Sequence, residues 1–519
     1  MGATNERNDE ASEAPRASRG CYWAGRALLV TALLSAACAI APTPVFADED
    51  LETNLKRLVE VYAHLEDKLA EPFDPADAFY RGAIPAMVRT LDPHSAFLDP
   101  QQFESLREMQ RSTEKGFGSI LQLMPGRVVV LQTLLDSPSA RAGISTGDEL
   151  VVVNGYRLTE LSIQQLAQLL GQSRQNRVEL LVKRPSFARL IPITLVPAEM
   201  EDPSVQSKFI LEEGVAYVKV ANFEATTAQE LHAAMEGLGG DDLRGLVLDL
   251  RDNPGGVIEA AVRMAAFFLE PDRRILWIRG REGPKEEVRV PAGMESYRFP
   301  VAVLINEKTA SAAELVAGAL QDNDRAVLLG TRSFGKGLVQ SVFDLSDGSG
   351  LALTTALYQS PSGRTIQRSL GDCREFQLAP CVEPETQTYK TLSGHEVPGG
   401  GGVEPDRRVY PHNYTRLEAF LEQSSAFFDF AQLYVRKGVE IDDDFQATSA
   451  LLDDFQLFLS ERGVRPTLSD WTAAVEHVRW NLRQEIFNLT LGVEKGDEVE
   501  LRNDPQVKAA LNAVREQLR

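Results

Sequence analysis

The chain has 519 residues and a formal charge of −21, from 54 Lys and Arg against 75 Asp and Glu. So acidic a protein is a poor match for nucleic-acid phosphates, which Lys and Arg must neutralise, and for anionic membrane surfaces. Its 43% hydrophobic and 25% charged content is that of a soluble globular protein, and a chain this long divides into about two to four domains.

Residues 1–47 read as an export leader. Arg16, Arg19 and Arg26 precede an apolar run from Ala27 to Ala41, whose 15 residues are short for a bilayer span. Val45-Phe46-Ala47 then puts small residues at the −3 and −1 positions of a cleavage site, with cleavage before Asp48. An uncleaved leader would instead attach the protein to the inner membrane. Residues 48–113 form an N-terminal helical region, in which Leu51, Leu55, Leu58, Val59, Tyr62 and Leu65 recur on one face. The Leu91-Asp92-Pro93-His94-Ser95 segment that follows offers an Asp and a His, but turn chemistry accounts for both.

Residues 114–198 resemble a PDZ domain, the module that binds peptide tails. Gly116-Phe117-Gly118-Ser119-Ile120 matches its carboxylate loop, whose backbone N–H groups receive a terminal carboxylate. Val128–Leu131 is a strand, Gly147–Gly155 a turn-strand-turn, and Ser162–Leu170 a helix stopped by Gly171. In such a domain the peptide adds a strand between helix and sheet edge. Leu166 and Leu170 either line the pocket for its last side chain or pack into the domain's own core.

Residues 199–409 alternate strands with helices, which defines an α/β core. The expected strands are Gly214–Val220, Gly245–Leu250, Val301–Ile305 and Ala326–Leu329, and the helices Thr227–Leu238, Val257–Leu269 and Ala312–Leu320. Ser311 falls at a strand-turn-helix junction, where the first helical N–H groups favour negative charge. A serine hydroxyl needs a base to become a nucleophile. An uncharged lysine serves, and lowering its pKa from ~10.4 to ~7 takes about 5 kcal/mol, within reach of burial. Lys336 lies between two glycines with Phe334, Leu338 and Val339 as apolar neighbours, and Gln340 is placed to orient its amine.

Thr309-Ala310-Ser311-Ala312-Ala313-Glu314 and Ser333-Phe334-Gly335-Lys336-Gly337 together resemble the carboxyl-terminal processing peptidases, or tail-specific proteases. The separations agree with that family's pattern: 336 − 311 = 25 and 340 − 336 = 4. The resemblance runs from about residue 50 to 410. It implies a Ser311 nucleophile, a Lys336 general base and a supporting Gln340. The oxyanion hole would be built from the N–H of Ala312 and that of Gly255 or Gly256 in the Asn253-Pro254-Gly255-Gly256 turn. It further implies a core like that of crotonase and Clp protease with the PDZ domain inserted. The expected activity is that of an exported serine endopeptidase, in a Gram-negative periplasm, cleaving proteins with exposed C-terminal tails. A lipoprotein or helical-repeat adaptor and a homo-oligomer are left open. Because the family uses Lys, His94 and Asp92 are not read as members of a triad.

From Arg368 to Asp406 periodicity is lost, which reads as an exposed excursion. Cys373 and Cys381, the two cysteines left after the leader, are a candidate disulfide across it. Residues 410–519 form a C-terminal helical extension, with helices expected at 417–437, 444–462, 469–489 and 505–518. No His-Glu-x-x-His or clustered-cysteine motif occurs, so neither metal nor cofactor is expected. Two other readings compete: a non-catalytic PDZ scaffold of the cell envelope, against which an intact Ser311 and Lys336 speak, and a crotonase-like acyl-CoA enzyme, which the leader and the PDZ domain disfavour.

Overall fold

The structure is a computed structural model that describes residues 48–519 except 72, 93, 110–112, 125, 175, 185, 186, 188, 202, 282–284 and 369–386. The leader at 1–47, Cys373 and Cys381 lie outside the described residues. The chain divides into two units, Met1–Arg81 and Gly82–Arg519. In the first, helix Asp48–Lys68 carries the expected apolar repeat, yet Leu51, Leu55, Leu58 and Leu65 are exposed. Tyr62 stacks on Phe79 at 5.5 Å and meets Phe73 edge-on at 5.9 Å.

The second unit opens with the short helix Ile84–Arg89, strand Ala96–Leu98 and helix Pro100–Met109. The region expected to be helical is therefore broken at the Asp92 segment. Asp92 Oδ1 accepts the N–H groups of His94 and Ser95, both at 2.8 Å, and this side-chain competition for backbone donors ends the helix.

The PDZ-like module is entered and left through two strands, Thr113–Gly116 and Ala198–Glu201, which pair antiparallel. Between them a six-stranded sheet closes on helix Ile163–Ser173 over a core that includes Val128, Val130, Val153, Leu166 and Val182. Ser162 caps the helix in a reciprocal box with Gln165. Gly171 does not stop the helix as expected. It faces open space, and the chain stays helical to Ser173, whose hydroxyl bonds the Leu169 carbonyl at 2.7 Å.

The α/β core is a six-stranded sheet in the order Val205–Glu212, Val215–Val220, Gly245–Asp249, Val301–Ile305, Ala326–Gly330 and Arg407–Arg408. The first pair is antiparallel and every later pair parallel. Alternation along these strands separates two apolar faces. Ala216, Val218, Leu246, Leu248, Val301 and Val303 pack with residues of helices Thr227–Leu238, Ile258–Ala266 and Ala312–Asp322. Val215, Tyr217, Val247, Ala302 and Leu304 pack with Val507, Ala510 and Val514 of the last helix, Pro505–Leu518. Covering both faces explains why these strands read as continuous apolar runs.

A second sheet is built on strand Gly350–Gln359, which pairs with Leu338–Asp344, Arg274–Gly280 and Ala96–Leu98. Much of its surface is only half-buried, so its sequence lacks the apolar run that marks the central strands. The excursion after Arg368 is less open than expected: Thr388–Lys390 pairs with Glu396–Pro398, and the N–H groups of Gly400 and Gly402 bond the carbonyls of Thr365 and Ile366.

The C-terminal extension is helical, with altered boundaries. The helix expected at 417–437 is two, Arg416–Gln423 and Ala426–Val435, divided at Ser424 and Ser425. The next begins at Ser449, capped by Thr448, and not at the acidic run Asp442-Asp443-Asp444. Val493–Asn503 is a further helix, polar enough to have escaped the periodicity search. This extension holds the PDZ-like module through Arg127–Asp429 at 2.7 Å, the Gln122–Glu485 bond at 3.2 Å and a buried contact around Phe428.

One ion network ties the last helix to the central sheet. The fully buried Asp249 accepts from the Tyr217 hydroxyl at 2.7 Å and from the guanidinium of Arg251. The other arm of Arg251 reaches Asp504 and Gln506, each at 2.7 Å, and Asp504 caps helix 505–518. Arg251→Met leaves a buried carboxylate without its cation and is expected to cost about 3–5 kcal/mol. A lower urea midpoint at an unchanged slope is the measurement that checks it.

Candidate functional site

The fully buried strand Val301–Ile305 delivers the chain to Ser311 through a short turn. Thr309 anchors that turn by donating its hydroxyl to the Leu250 carbonyl at 2.8 Å. Ser311 itself has φ 53° and ψ −117°. A positive φ at a residue with a Cβ costs on the order of 1–3 kcal/mol and persists only where the surroundings impose it. Here they do. The Ser311 N–H donates to Glu314 Oε2 at 2.9 Å, and its carbonyl accepts from Leu315 N at 3.0 Å and from the Tyr358 hydroxyl at 2.7 Å. Helix Ala312–Asp322, buried along its whole length, starts at once.

Glu314, on the first turn of that helix, is fully buried and accepts four hydrogen bonds. Besides Ser311 N they come from Ser333 Oγ at 2.5 Å, Gly335 N at 2.7 Å and Lys336 N at 2.8 Å. Burial pushes its pKa up, while these donors pull the other way. Its carboxylate thus joins the Ser311 elbow to the Lys336 loop. Tyr358 makes a second clasp, its buried hydroxyl shared between the carbonyls of Ser311 and Lys336, each at 2.7 Å. Burial, then the Glu314 charge, keeps this phenol well above its usual pKa and therefore a donor.

Lys336 is half-buried, and desolvation lowers its pKa from the ordinary lysine value. Its Nζ donates to Gln340 Oε1 at 2.9 Å. The Gln340 amide in turn donates to the His94 carbonyl at 2.7 Å. Among the described residues no hydrogen bond joins Lys336 Nζ to Ser311 Oγ. Of the apolar neighbours expected from sequence, Leu338 is buried and Val339 half-buried, whereas Phe334 is exposed. The His94 ring is kept below its ordinary pKa, first by burial and then by the nearby Lys336 amine, with Asp92 opposing.

The Asn253-Pro254-Gly255-Gly256 turn lies directly against the elbow. A Cβ on Gly255 would stand 2.8 Å from Ser311 Cβ and 2.9 Å from Ala312 N. One on Gly256 would meet the Phe223 carbonyl oxygen at 2.0 Å. Asn253 is fully buried and serves three segments: its Nδ2 donates to the Val220 carbonyl at 2.8 Å, its Oδ1 accepts from Gly255 N at 2.8 Å, and its carbonyl accepts from Ala310 N at 2.9 Å. The Gly255 N–H is thereby engaged inside the turn.

In the PDZ-like module, Gly116 ends strand 113–116, Phe117 and Gly118 are the link, and Ser119 and Ile120 open strand 119–124. Gly118 has φ 71°, and its carbonyl accepts from Leu134 N at 2.8 Å. Leu166 is fully buried in the domain core and has no surface to offer a peptide, while Leu170 is half-buried against the same cluster. Sequence reasoning missed Glu314 as a tie, Tyr358, Asn253 and the role of the His94 carbonyl. Glu314 stood within the motif, three residues after a serine at a helix start, and that spacing is a capping signature.

The model of Peptidase family S41 matches residues 214–372, and a PDZ domain model matches residues 129–184. Carboxyl-terminal-processing peptidase 3, chloroplastic, of Arabidopsis thaliana is 31% identical over 376 residues, which is 68% of this chain and 68% of that one. The carboxy-terminal processing protease CtpA of Bacillus subtilis (strain 168) is 28% identical over 350 residues, 66% of this chain and 71% of that one. A solved structure of a photosystem II D1 C-terminal processing protease is 28% identical, covering 68% of this chain and 86% of that one with a TM-score of 0.40.

Glu314→Gln sets an amide NH2 among four donors, so at least one buried N–H or O–H loses its acceptor. The expected loss is about 2–4 kcal/mol in equilibrium unfolding. Tyr358→Phe, which removes one hydroxyl and keeps the ring, is expected to cost about 1–2 kcal/mol by the same measurement.

Proposed function

The chain belongs to the carboxyl-terminal processing peptidases of peptidase family S41, and from that premise we propose that it is an exported serine endopeptidase in which Ser311 is the nucleophile and Lys336 the general base. The observation that carries this reading is the environment of the Lys336 amine. It is half-buried, its partner is an amide oxygen and not a carboxylate, and among the described residues no anion holds it in the charged form. A neutral amine close to the elbow is what a serine hydroxyl requires.

Ser311 Oγ attacks the substrate carbonyl carbon as Lys336 Nζ takes its proton, and the carbonyl oxygen becomes an oxyanion. Two preorganised N–H donors receive it. One is Ala312 N at the start of its helix, and the other is Gly256 N, because the Gly255 N–H is already bonded to Asn253 Oδ1. The C–N bond breaks as the lysine ammonium returns the proton to the leaving amine. Water, deprotonated by the same lysine, then hydrolyses the Ser311 ester. The dyad closes when substrate enters, since catalytic hydrogen bonds tighten in the complex. Gln340, braced on the His94 carbonyl, aims the amine.

Substrate tails would be received by the Gly116–Ile120 loop, with Leu170 beside it. Export by residues 1–47, with cleavage before Asp48, would bring the enzyme to proteins outside the cytoplasm, in a Gram-negative cell the periplasm. Among the described residues no helix is long and apolar enough to cross a membrane. The apolar face of helix 48–68, exposed at Leu51, Leu55, Leu58 and Leu65, is the surface available to an adaptor or a second copy.

An unstructured peptide with an apolar C-terminus tests the reading. Ser311→Ala is expected to abolish cleavage, and Lys336→Met to slow it by about 10²–10⁴-fold. Lys336→Arg should fail equally, because arginine does not deprotonate at working pH. Cleavage by Lys336→Met at the wild-type rate would overturn the assignment. The neutral amine is the active form, so kcat/KM should rise with pH through the Lys336 pKa. Since burial lowers that pKa, the rise belongs below the ordinary lysine value of 10.5.

A further inference from the structure

We propose that the C-terminal extension holds a binding site for a divalent transition ion of the zinc class, formed by His412, Glu418 and His477. The three residues come from separate segments. His412 lies between strand 407–408 and the first helix of the extension, Glu418 on helix 416–423 and His477 on helix 468–490. One donor atom of each lies within 4.8 Å of the other two. His412 Nε2 and Glu418 Oε2 are already 3.3 Å apart. Two ligands of a tetrahedral ion with bonds of ~2.0 Å are separated by about 3.3 Å.

The second observation concerns His477. It is 4% exposed. Its Nε2 stands 2.7 Å from Glu422 Oε1, and a carboxylate there keeps the ring proton on Nε2. The Asn481 amide, 2.9 Å from the same nitrogen, donates to the His477 carbonyl at 3.1 Å. The lone pair therefore resides on Nδ1, which is buried and makes no hydrogen bond among the described residues. The rings of Tyr414, Phe427 and Trp480 stand around this imidazole. A buried acceptor without a donor is costly, and a cation relieves that cost. A histidine whose far nitrogen is bound to a carboxylate is the usual support for a metal ligand.

The donor set selects the ion. Two imidazoles and one carboxylate suit Zn²⁺, Co²⁺ or Ni²⁺, whereas Ca²⁺ and Mg²⁺ take oxygen donors. Glu418 also accepts Thr415 N at 2.7 Å as a helix cap, but a carboxylate has lone pairs for both tasks. His412 is the exposed member and stands on the solvent side of the site, where a fourth position is left for water. A bound ion would fasten the segment that leaves the α/β core onto two helices of the extension. Motif searching passes over such a site because the ligands are 418 − 412 = 6 and 477 − 418 = 59 residues apart.

The test uses the full chain without a histidine tag, dialysed against chelator and titrated with Co²⁺. One Co²⁺ per chain is expected, with a visible ligand-field band of low coordination number and displacement by Zn²⁺. His412→Ala, at an exposed position whose truncation leaves the core intact, should weaken binding at least tenfold. His477→Gln should abolish the band, and Glu422→Gln should weaken binding about 10–100-fold while keeping the band. Far-UV circular dichroism identifies any variant that has unfolded. Wild-type protein without a band at millimolar Co²⁺, or a folded His412→Ala variant that binds as tightly as wild type, would overturn the proposal.

Discussion

A single buried carboxylate holds the functional centre together. Glu314 takes no part in the proposed chemistry, yet it accepts donors from the Ser311 elbow and from the Ser333–Lys336 loop. Tyr358 and the Phe334 N–H, which donates to the Thr309 carbonyl at 2.9 Å, join the same two segments from outside that carboxylate. Burying a charge is costly unless every lone pair finds a donor, and here three backbone N–H groups and a hydroxyl supply them. The arrangement is thereby discrete: the loops have one relative position in which the carboxylate is satisfied. Val403 N, bonded to Ser333 Oγ at 2.6 Å, draws the end of the excursion into the same cluster.

The elbow can be strained because its foundations are rigid. The five residues of strand 301–305 are all buried, helix 312–322 is buried throughout, and Tyr358 fixes the carbonyls of Ser311 and Lys336 together. On the other side of the sheet, the Arg251 network links the last helix to the strand that leads into the Asn-Pro-Gly-Gly turn. The helical extension is therefore connected through two residues of chain to Asn253, which sets that turn against Ser311. The same extension grips the PDZ-like module at Asp429 and Glu485. The PDZ-like module, turn and elbow share one mechanical frame.

The Lys336 side of the site is organised differently. The Lys336 amine is steered by Gln340, and Gln340 by a main-chain carbonyl at His94, not by an acid. A neutral relay has a physical advantage. A carboxylate next to the amine would stabilise the ammonium and raise its pKa, defeating the desolvation that lowers it. Asp92 instead spends its charge locally on His94 N, Ser95 N and Ser95 Oγ. The turn that tempts a reader toward a histidine base is a bracket for the lysine's partner.

Much of this was legible in the chain itself. Apolar runs marked the central strands, and the 25- and 4-residue spacings singled out Ser311, Lys336 and Gln340. The three site residues stood out through the family resemblance those spacings carry. The apolar runs are local patterns, set by burial on both sheet faces, so they survive in one dimension. Boundaries in the polar helices and the half-exposed strand 350–359 did not, because neither carries a strong period. The ties from Ser333, Gly335 and Lys336 to Glu314, the Tyr358 clasp and the His94 brace depend on donors and acceptors 19 to 246 residues apart. A hydrogen bond across such a distance has no signature in either partner's neighbourhood, so only the folded chain decides which groups meet.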